Sequence, residues 1–320
     1  GSFSETTTAS FSADMAIGAL DGIAGQEAVT ALYGFQIDLN TSFTGEDSLD
    51  ISIDAGNGAA AGDGLDELDL NETNDGLTVD GVSYTFPLGD KTTVFVGDNV
   101  DGSALYSTAC VYGGPSNTLD DCGNAASALA ASRGTAAGAS FDIGNGFTAA
   151  IGYEGQGSTT VGLLTKEGAD AFGGQLTYTA DSYGASVTYA SIESVDNNGA
   201  VVAGQDFTYW GLNGYWTPSE SGSMPSISVG YEMGNPEAAG AEDTTHYFVG
   251  LQWDEAGPGT FGAALGTTQH TAESADEFLM YEAFYTYPIN DGMTVTPLVF
   301  VKETNGDDQT GIMVKTSFSF

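Results

Sequence analysis

The chain has 320 residues, 46 of them glycine and only 8 proline, and sets 44 Asp and Glu against 5 Lys and Arg for a formal charge of −39. A surface so acidic cannot neutralise phosphates, which excludes nucleic acid as a partner. No run of about 18 apolar residues offers a transmembrane helix, yet a mean hydropathy near zero is also what alternating barrel strands average to, so a membrane location stays open.

The charge bears on the medium. At about 1 M salt the Debye length falls to about 3 Å, so this surface suits a saline environment. A disordered acidic chain is disfavoured, because the acids are interleaved with aromatic and β-branched residues rather than gathered in blocks.

Sixteen segments alternate apolar and polar residues with a period of two, the pattern of strands with one apolar face. Residues 7–17 put Ala9, Phe11, Ala13, Met15 and Ile17 on one face and Ser10, Ser12 and Asp14 on the other. Residues 29–39 set Tyr33, Phe35, Ile37 and Leu39 opposite Gln36 and Asp38. The third segment has Leu49, Ile51 and Ile53 against Asp50, Ser52 and Asp54; the fourth has Val82, Tyr84 and Phe86 against Ser83 and Thr85. The fifth, 92–97, is short and ambiguous. The sixth and seventh flank Gly144-Asn145-Gly146, and the eighth and ninth flank Ala180-Asp181-Ser182. Trp210, Val229, Val249, Phe261, Tyr281 and Val299 mark the next six. The last, 310–320, sets Ile312, Val314, Thr316, Phe318 and Phe320 opposite Gly311, Met313, Lys315, Ser317 and Ser319 and runs to the final residue. A strand edge left bare there would template aggregation. A closed barrel, in which the last strand pairs with residues 7–17, removes the edge.

Every second connection is short: 44–47, 89–90, 144–146, 180–182, 218–223, 255–260 and 290–292. The intervening ones are generally longer, above all 56–76 and 98–134. Short turns on one rim and long loops on the other are the habit of outer-membrane barrels. The fold expected is therefore all-β: one transmembrane antiparallel β-barrel of about sixteen strands over 1–320, with both termini on the short-turn, periplasmic rim. Trp216, Tyr231, Trp253, Tyr287, Phe318 and Phe320 read as strand-end residues of interfacial girdles.

Several polar groups carry candidate chemistry. Cys110 and Cys122 lie in a Gly/Ser/Asn-rich stretch without a histidine; we expect a disulfide and hence an oxidising compartment, the alternative being two free thiols. His246 and His270 are the only histidines, and alternation turns both inward. No nucleophile-elbow motif accompanies them, so neither an enzyme nor a metal centre is expected. Asp14, Asp38, Asp50, Asp54, Asp142, Glu154, Glu232, Asp254 and Glu282 all fall on the polar faces of their segments. Around a water-filled lumen such carboxylates raise the local cation concentration and repel anions. Loop 56–76 carries Asp63, Asp66, Glu67, Asp69, Glu72 and Asp75. Its spacing is not that of an EF-hand, which leaves loosely bound Ca²⁺, or divalent bridging to lipopolysaccharide or a neighbouring subunit, as its expected role. No cofactor is implied. Phe248, Phe284, Leu298 and Phe300 fall on the nominal lumen face, which is odd for an open pore: either they contact an inward-folded loop or they mark a narrow lumen.

A set of motifs in chain order resembles the major outer-membrane porins of cyanobacteria: Phe3-Ser4-Glu5-Thr6-Thr7, Leu39-Asn40-Thr41-Ser42-Phe43-Thr44-Gly45, Tyr84-Thr85-Phe86-Pro87-Leu88-Gly89, Trp216-Thr217-Pro218-Ser219-Glu220, Val249-Gly250-Leu251-Gln252-Trp253 and the tail Val314-Lys315-Thr316-Ser317-Phe318-Ser319-Phe320. That group is OprB-like and carbohydrate-selective, with members labelled iron uptake porins; the marine branch looks nearest. The resemblance implies an outer-membrane diffusion channel for small hydrophilic solutes and ions, in a homotrimer. By analogy with sixteen-stranded porins, loop 98–134 would fold inward as the pore constriction. It carries Asp101, Asp120, Asp121 and the chain's only arginine, Arg133. With one arginine the field across the pore is weak, so the channel should favour cations. Phe318 and Phe320 resemble the signal read by the outer-membrane assembly machinery. The family's S-layer-homology domain does not stand in these 320 residues, so wall anchoring is not carried over. A non-conducting scaffold or surface receptor on the same barrel is the rival reading.

Overall fold

The computed structural model describes residues 6–60, 63–129, 134–195, 201–202, 204–218 and 223–320. Seventeen strands follow one another along the chain: β1 Thr7–Asp21, β2 Thr30–Thr41, β3 Ser48–Gly56, β4 Thr78–Pro87, β5 Thr92–Asp98, β6 Thr135–Gly144, β7 Phe147–Gly155, β8 Asp170–Thr179, β9 Tyr183–Ile192, β10 Phe207–Trp216, β11 Ser226–Pro236, β12 Thr244–Ala256, β13 Gly259–Thr267, β14 Thr271–Ala272, β15 Leu279–Asn290, β16 Met293–Lys302 and β17 Gln309–Ser319. The two-residue β14 only extends the pairing of β12 beyond β13. The other sixteen pair antiparallel in sequence order and close when β1 meets β17, from Ser12↔Ser319 to Asp21↔Thr310. This is a closed sixteen-stranded barrel. Its seam ends on Phe11 and Phe320, whose backbones exchange N–H···O bonds of 2.9 and 3.0 Å and whose rings stack at 5.5 Å.

Local chemistry accounts for the hairpins. Asn145 and Gly146 both take positive φ, 55° and 86°, as a two-residue turn matched to strand twist requires. In the turn between β2 and β3, Asp47 accepts from the Phe43 and Thr44 amides, the Ser42 and Thr44 hydroxyls, and the Tyr84 hydroxyl of β4. One extra residue, Asp80, enters β4 where its register against β3 shifts.

The outer face is apolar all round. Met15, Ile17, Val96, Ile151, Leu212, Val249 and Ile312 are among its exposed side chains. A belt of this size would be untenable in water, and it makes the barrel a transmembrane one. Paired aromatics border it on the short-turn side: Phe147 with Tyr178, Trp253 with Phe261, and Phe43 with Tyr84. Tyr231 departs from the expected girdle, since it pairs with Leu212 and Tyr247 in the middle of its strand. The ambiguous fifth segment forms β5, with Phe95 buried on the lumen side against the glycine face at Gly138.

The hydrophobic core lies inside the barrel and on one side of it. Leu20 of β1, Phe248 of β12, Met280 and Phe284 of β15, Leu298 and Phe300 of β16 and Met313 of β17 form an apolar inner wall. Leu65 and Leu68, from a single 3-10 turn at Gly64–Leu68, pack on it together with Tyr112 and Leu119. Both contributors come from long loops that turn inward.

Candidate functional site

The candidate site is the lumen, shaped by those two loops. Loop L3, described over residues 99–129, lies along the inner wall, and side chains of the strands receive its backbone. The Gly102 amide donates to Glu154 of β7, Ser107 to Gln175 of β8, Ala109 to Ser186 of β9, Val111 to Ser228 of β11 and Gly113 to Gln252 of β12, at 2.6–3.0 Å. The Tyr112 hydroxyl donates to Glu282 of β15 at 2.6 Å. Inward glycines make room for this close approach. A Cβ at Gly152 would land on the Gly102 carbonyl, and one at Gly230 on the Cys122 carbonyl. Gly211 and Gly266 likewise face Ser127 and Leu119.

The return half of L3 is held by Glu232 of β11, which is fully buried. It accepts from the Ala126 amide at 2.9 Å, the Ser127 amide at 2.7 Å, the Ser127 hydroxyl at 2.5 Å and His270 Nε2 at 2.6 Å. The Asn213 amide donates to the Cys122 carbonyl at 2.9 Å. Cys110 and Cys122 form the disulfide that ties the two halves of the loop together.

Loop L2, described over residues 57–60 and 63–77, covers the neighbouring wall. The Asn71 amide donates to Asp54 of β3 at 2.8 Å, and Lys315 of β17 donates to the Leu68 carbonyl at 3.3 Å. Glu67 accepts from Lys302 of β16 at 2.5 Å and from both the amide and the hydroxyl of Thr118 in L3, at 3.0 and 2.6 Å.

The nine strand carboxylates all stand on the inward face, but they do not share one environment. Asp14, Asp38 and Asp50 keep partial exposure to the lumen. Asp142 and Asp254 lie at the short-turn ends, where Asp142 accepts from the Gly144 amide and Asp254 from Gln252. Glu154, Glu232, Glu282 and Asp54 are buried. They are corrected from pore-lining groups to acceptors beneath the loops, because L3 and L2 replace the water that alternation alone would leave beside them. In L3, Asp101 borders a cavity of about 400 Å³ with Asp50, Ser52, Asp80 and Asn99. Asp120 is exposed, with the carboxylates of Asp69, Asp121, Glu282 and Glu67 nearby. Burial pushes Asp121 up to about 6, the Gly123 amide working against the rise. Arg133 lies outside the described residues.

His246 and His270 do come together, with ring centroids 5.4 Å apart. Both Nδ1 atoms have hydroxyl partners, Thr267 at 2.6 Å and Thr244 at 3.0 Å, and His270 Nε2 is engaged by Glu232. Among the described residues, no three His, Cys, Asp or Glu side chains converge as metal ligands. Of the small residues Gly262, Ala263 and Ala264 on β13, Gly262 meets Phe284 and Ala264 is buried, so of the three Ala263 looks outward.

Sequence reasoning did not single out Gln175, Ser186, Ser228, Gln252, Lys302 or Lys315. The inward glycines are the signal that could have found the wall residues, since a glycine on the lumen face of consecutive strands marks a seat for another backbone.

No family model matches the chain, and no curated protein does. Among solved structures, the chain is similar to Pseudomonas putida OprB in its high-pH structure, at 12% identity and a TM-score of 0.69, over 98% of this chain and 94% of that one. It is also similar to variants of Rh. blastica porin, at 14% identity and a TM-score of 0.59, over 98% of this chain and all of theirs. At such identities the likeness is one of fold. It defines the class: a porin-type β-barrel of sixteen strands.

Proposed function

We propose that this chain is an outer-membrane porin, a passive channel through which small hydrophilic solutes and inorganic ions move down their own gradients, and that it favours cations. One observation carries the preference. The solvated inner surface presents Asp14, Asp38, Asp50, Asp80 and Asp101, while the inward lysines Lys302 and Lys315 are both engaged with L2. Cations entering such a passage meet attraction on both sides, and among the described inward residues anions meet no free counter-charge. L3 is the constriction in this reading, with Asp101, Asp120 and Asp121 on it. The long-loop rim faces the exterior and contacts lipopolysaccharide, the short-turn rim faces the periplasm, and Phe318 and Phe320 present the strand read by the assembly machinery. A homotrimer, a marine cyanobacterial source and a choice among sugars, iron and simple ions rest on the sequence resemblance. Divalent ions such as Ca²⁺ associate loosely with the acidic loops, and no cofactor is needed.

The test is reconstitution in planar bilayers under a salt gradient. Stepwise conductance with a reversal potential of cationic sign is expected; an anionic sign refutes the selectivity. A second reading is a non-conducting scaffold, favoured by the loops packed on the apolar wall from β12 to β17. No conductance from fully folded barrels would decide for it.

A further inference from the structure

L2 and L3 together form a collar inside the barrel. L3 follows the wall from Glu154 of β7 to Glu282 of β15. L2 continues over β17, β1 and β3 through Leu68, Leu65 and Asn71. The two runs meet at one carboxylate. Glu67 is buried, at 3% exposure, and its two oxygens take three donors: the Thr118 amide, the Thr118 hydroxyl and the Lys302 ammonium. Its own carbonyl accepts from the Asn117 amide at 3.3 Å. Lys302 also reaches the Thr118 hydroxyl at 3.3 Å, so wall, L2 and L3 are joined at a single node.

We propose that Glu67 is the positioning residue that clasps the collar shut, and that with Lys302 it sets the width of the passage and hence the largest solute admitted. The inference rests on the porin reading. Apart from the clasp, the segment 114–121 is held on the wall by Leu119, buried in the apolar core. Before it, the loop is pegged by Gln252 and Glu282; after it, by Asn213 and Glu232. Without the clasp this stretch loses its polar ties to L2 and β16, and Asn117 and Asp120 on it already border solvent. Burying Glu67 is tolerable only because it is paired and fully hydrogen-bonded; removing either partner leaves an uncompensated group, which drives the loops apart.

Two variants test this, Glu67→Ala and Lys302→Met. They change the lumen charge in opposite directions, so the readout is the uptake rate of uncharged sugars of increasing size into liposomes, which is blind to charge. Both variants should shift the exclusion limit to larger sugars. In Glu67→Ala, hydrogen exchange at the Thr118 amide should also quicken by about tenfold or more, the loss of a charge-assisted bond. Neither variant touches the strand ladder, so heat-modifiable gel migration should report an intact barrel. Asp75→Asn, in L2 but bonded to Tyr33, should leave the limit unchanged. An unchanged limit in both clasp variants, with the parent conducting, overturns this inference alone. A parent protein that admits no sugar and carries no current overturns the porin reading and the inference with it.

Discussion

The seam of the barrel allows a worked test of how closure is stabilised. Phe320 exchanges two backbone hydrogen bonds with Phe11 and stacks its ring on that of Phe11 at 5.5 Å. Each bond contributes about 1 kcal/mol net, and an aromatic pair adds about 0.5–1.5 kcal/mol. Deleting Phe320 removes all three, for an expected loss of about 3 kcal/mol. Phe320→Ala keeps both backbone bonds and removes only the ring, so its loss should be about 1 kcal/mol. The assay is denaturant unfolding of both proteins in lipid vesicles, followed by gel migration with and without boiling. The Phe320 ring points outward and is 77% exposed, so barrels that do form should conduct as the full chain does. The amount of the deletion protein recovered in membranes should fall more than its conductance. Equal losses for the deletion and the alanine variant would refute the assignment of most of the closure to the backbone pair, and no loss for either would refute the reasoning altogether.

Other perturbations address L3. Glu232→Ala leaves the amides of Ala126 and Ser127 and the side chain of His270 without their acceptor; at about 1–3 kcal/mol for each buried orphan, L3 should undock, seen as faster amide exchange at Ser127 and noisier single-channel current. Reducing the Cys110–Cys122 disulfide should loosen L3 by up to about 3 kcal/mol while leaving the unfolding midpoint of the barrel in place, because no strand-to-strand contact depends on it. Gly230→Val drives a side chain into the Cys122 carbonyl and should displace the same loop without removing any charge, raising the exclusion limit for sugars. Asp121, pushed up to about 6, keeps its proton longer than an ordinary carboxyl on the way up in pH. L3 therefore gains negative charge as pH rises from about 5 to about 7, relative to a normal aspartate already ionised there, and the ratio of cation to anion permeability should climb through that window. Asp121→Asn should flatten the climb.

The barrel itself was legible because its information is local. A period of two is a property of the strand backbone, so Met15 and Ile17 could be placed outside and Asp14 inside from neighbours alone, and the alternation of Gly144-Asn145-Gly146 with long connections sorted the rims. The pairing of β17 with β1 followed from the need to cover an edge. The loops were not legible in the same way. Glu67 stands among Asp63, Asp66, Asp69, Glu72 and Asp75 with nothing local to mark it, and only the approach of Lys302 and Thr118, distant in sequence, selects it.

The same limit explains the carboxylates. Alternation fixes the face on which a residue stands but not what covers that face. Asp38 and Glu232 are equivalent by periodicity, yet one borders water and the other receives L3. The difference is written in their neighbours on the wall. Beside Glu154 and Glu232 lie inward glycines, Gly152 and Gly230, where a Cβ would strike L3. Beside Asp50 and Asp38 lie Ser52 and Gln36, whose side chains bond to carboxylates of the wall itself: Ser52 and Gln36 both donate to Asp38. A wall that supplies its own hydrogen-bond partners stays bare and wet, and a wall of glycines and lone acceptors is completed by another backbone. The lumen is thereby divided into a docking half and a solvated half. If that rule holds, replacing Gly152 and Gly230 by serine should shift L3 off the wall and give Glu154 and Glu232 back to water, adding cation selectivity; unchanged selectivity in that double variant would sink the rule.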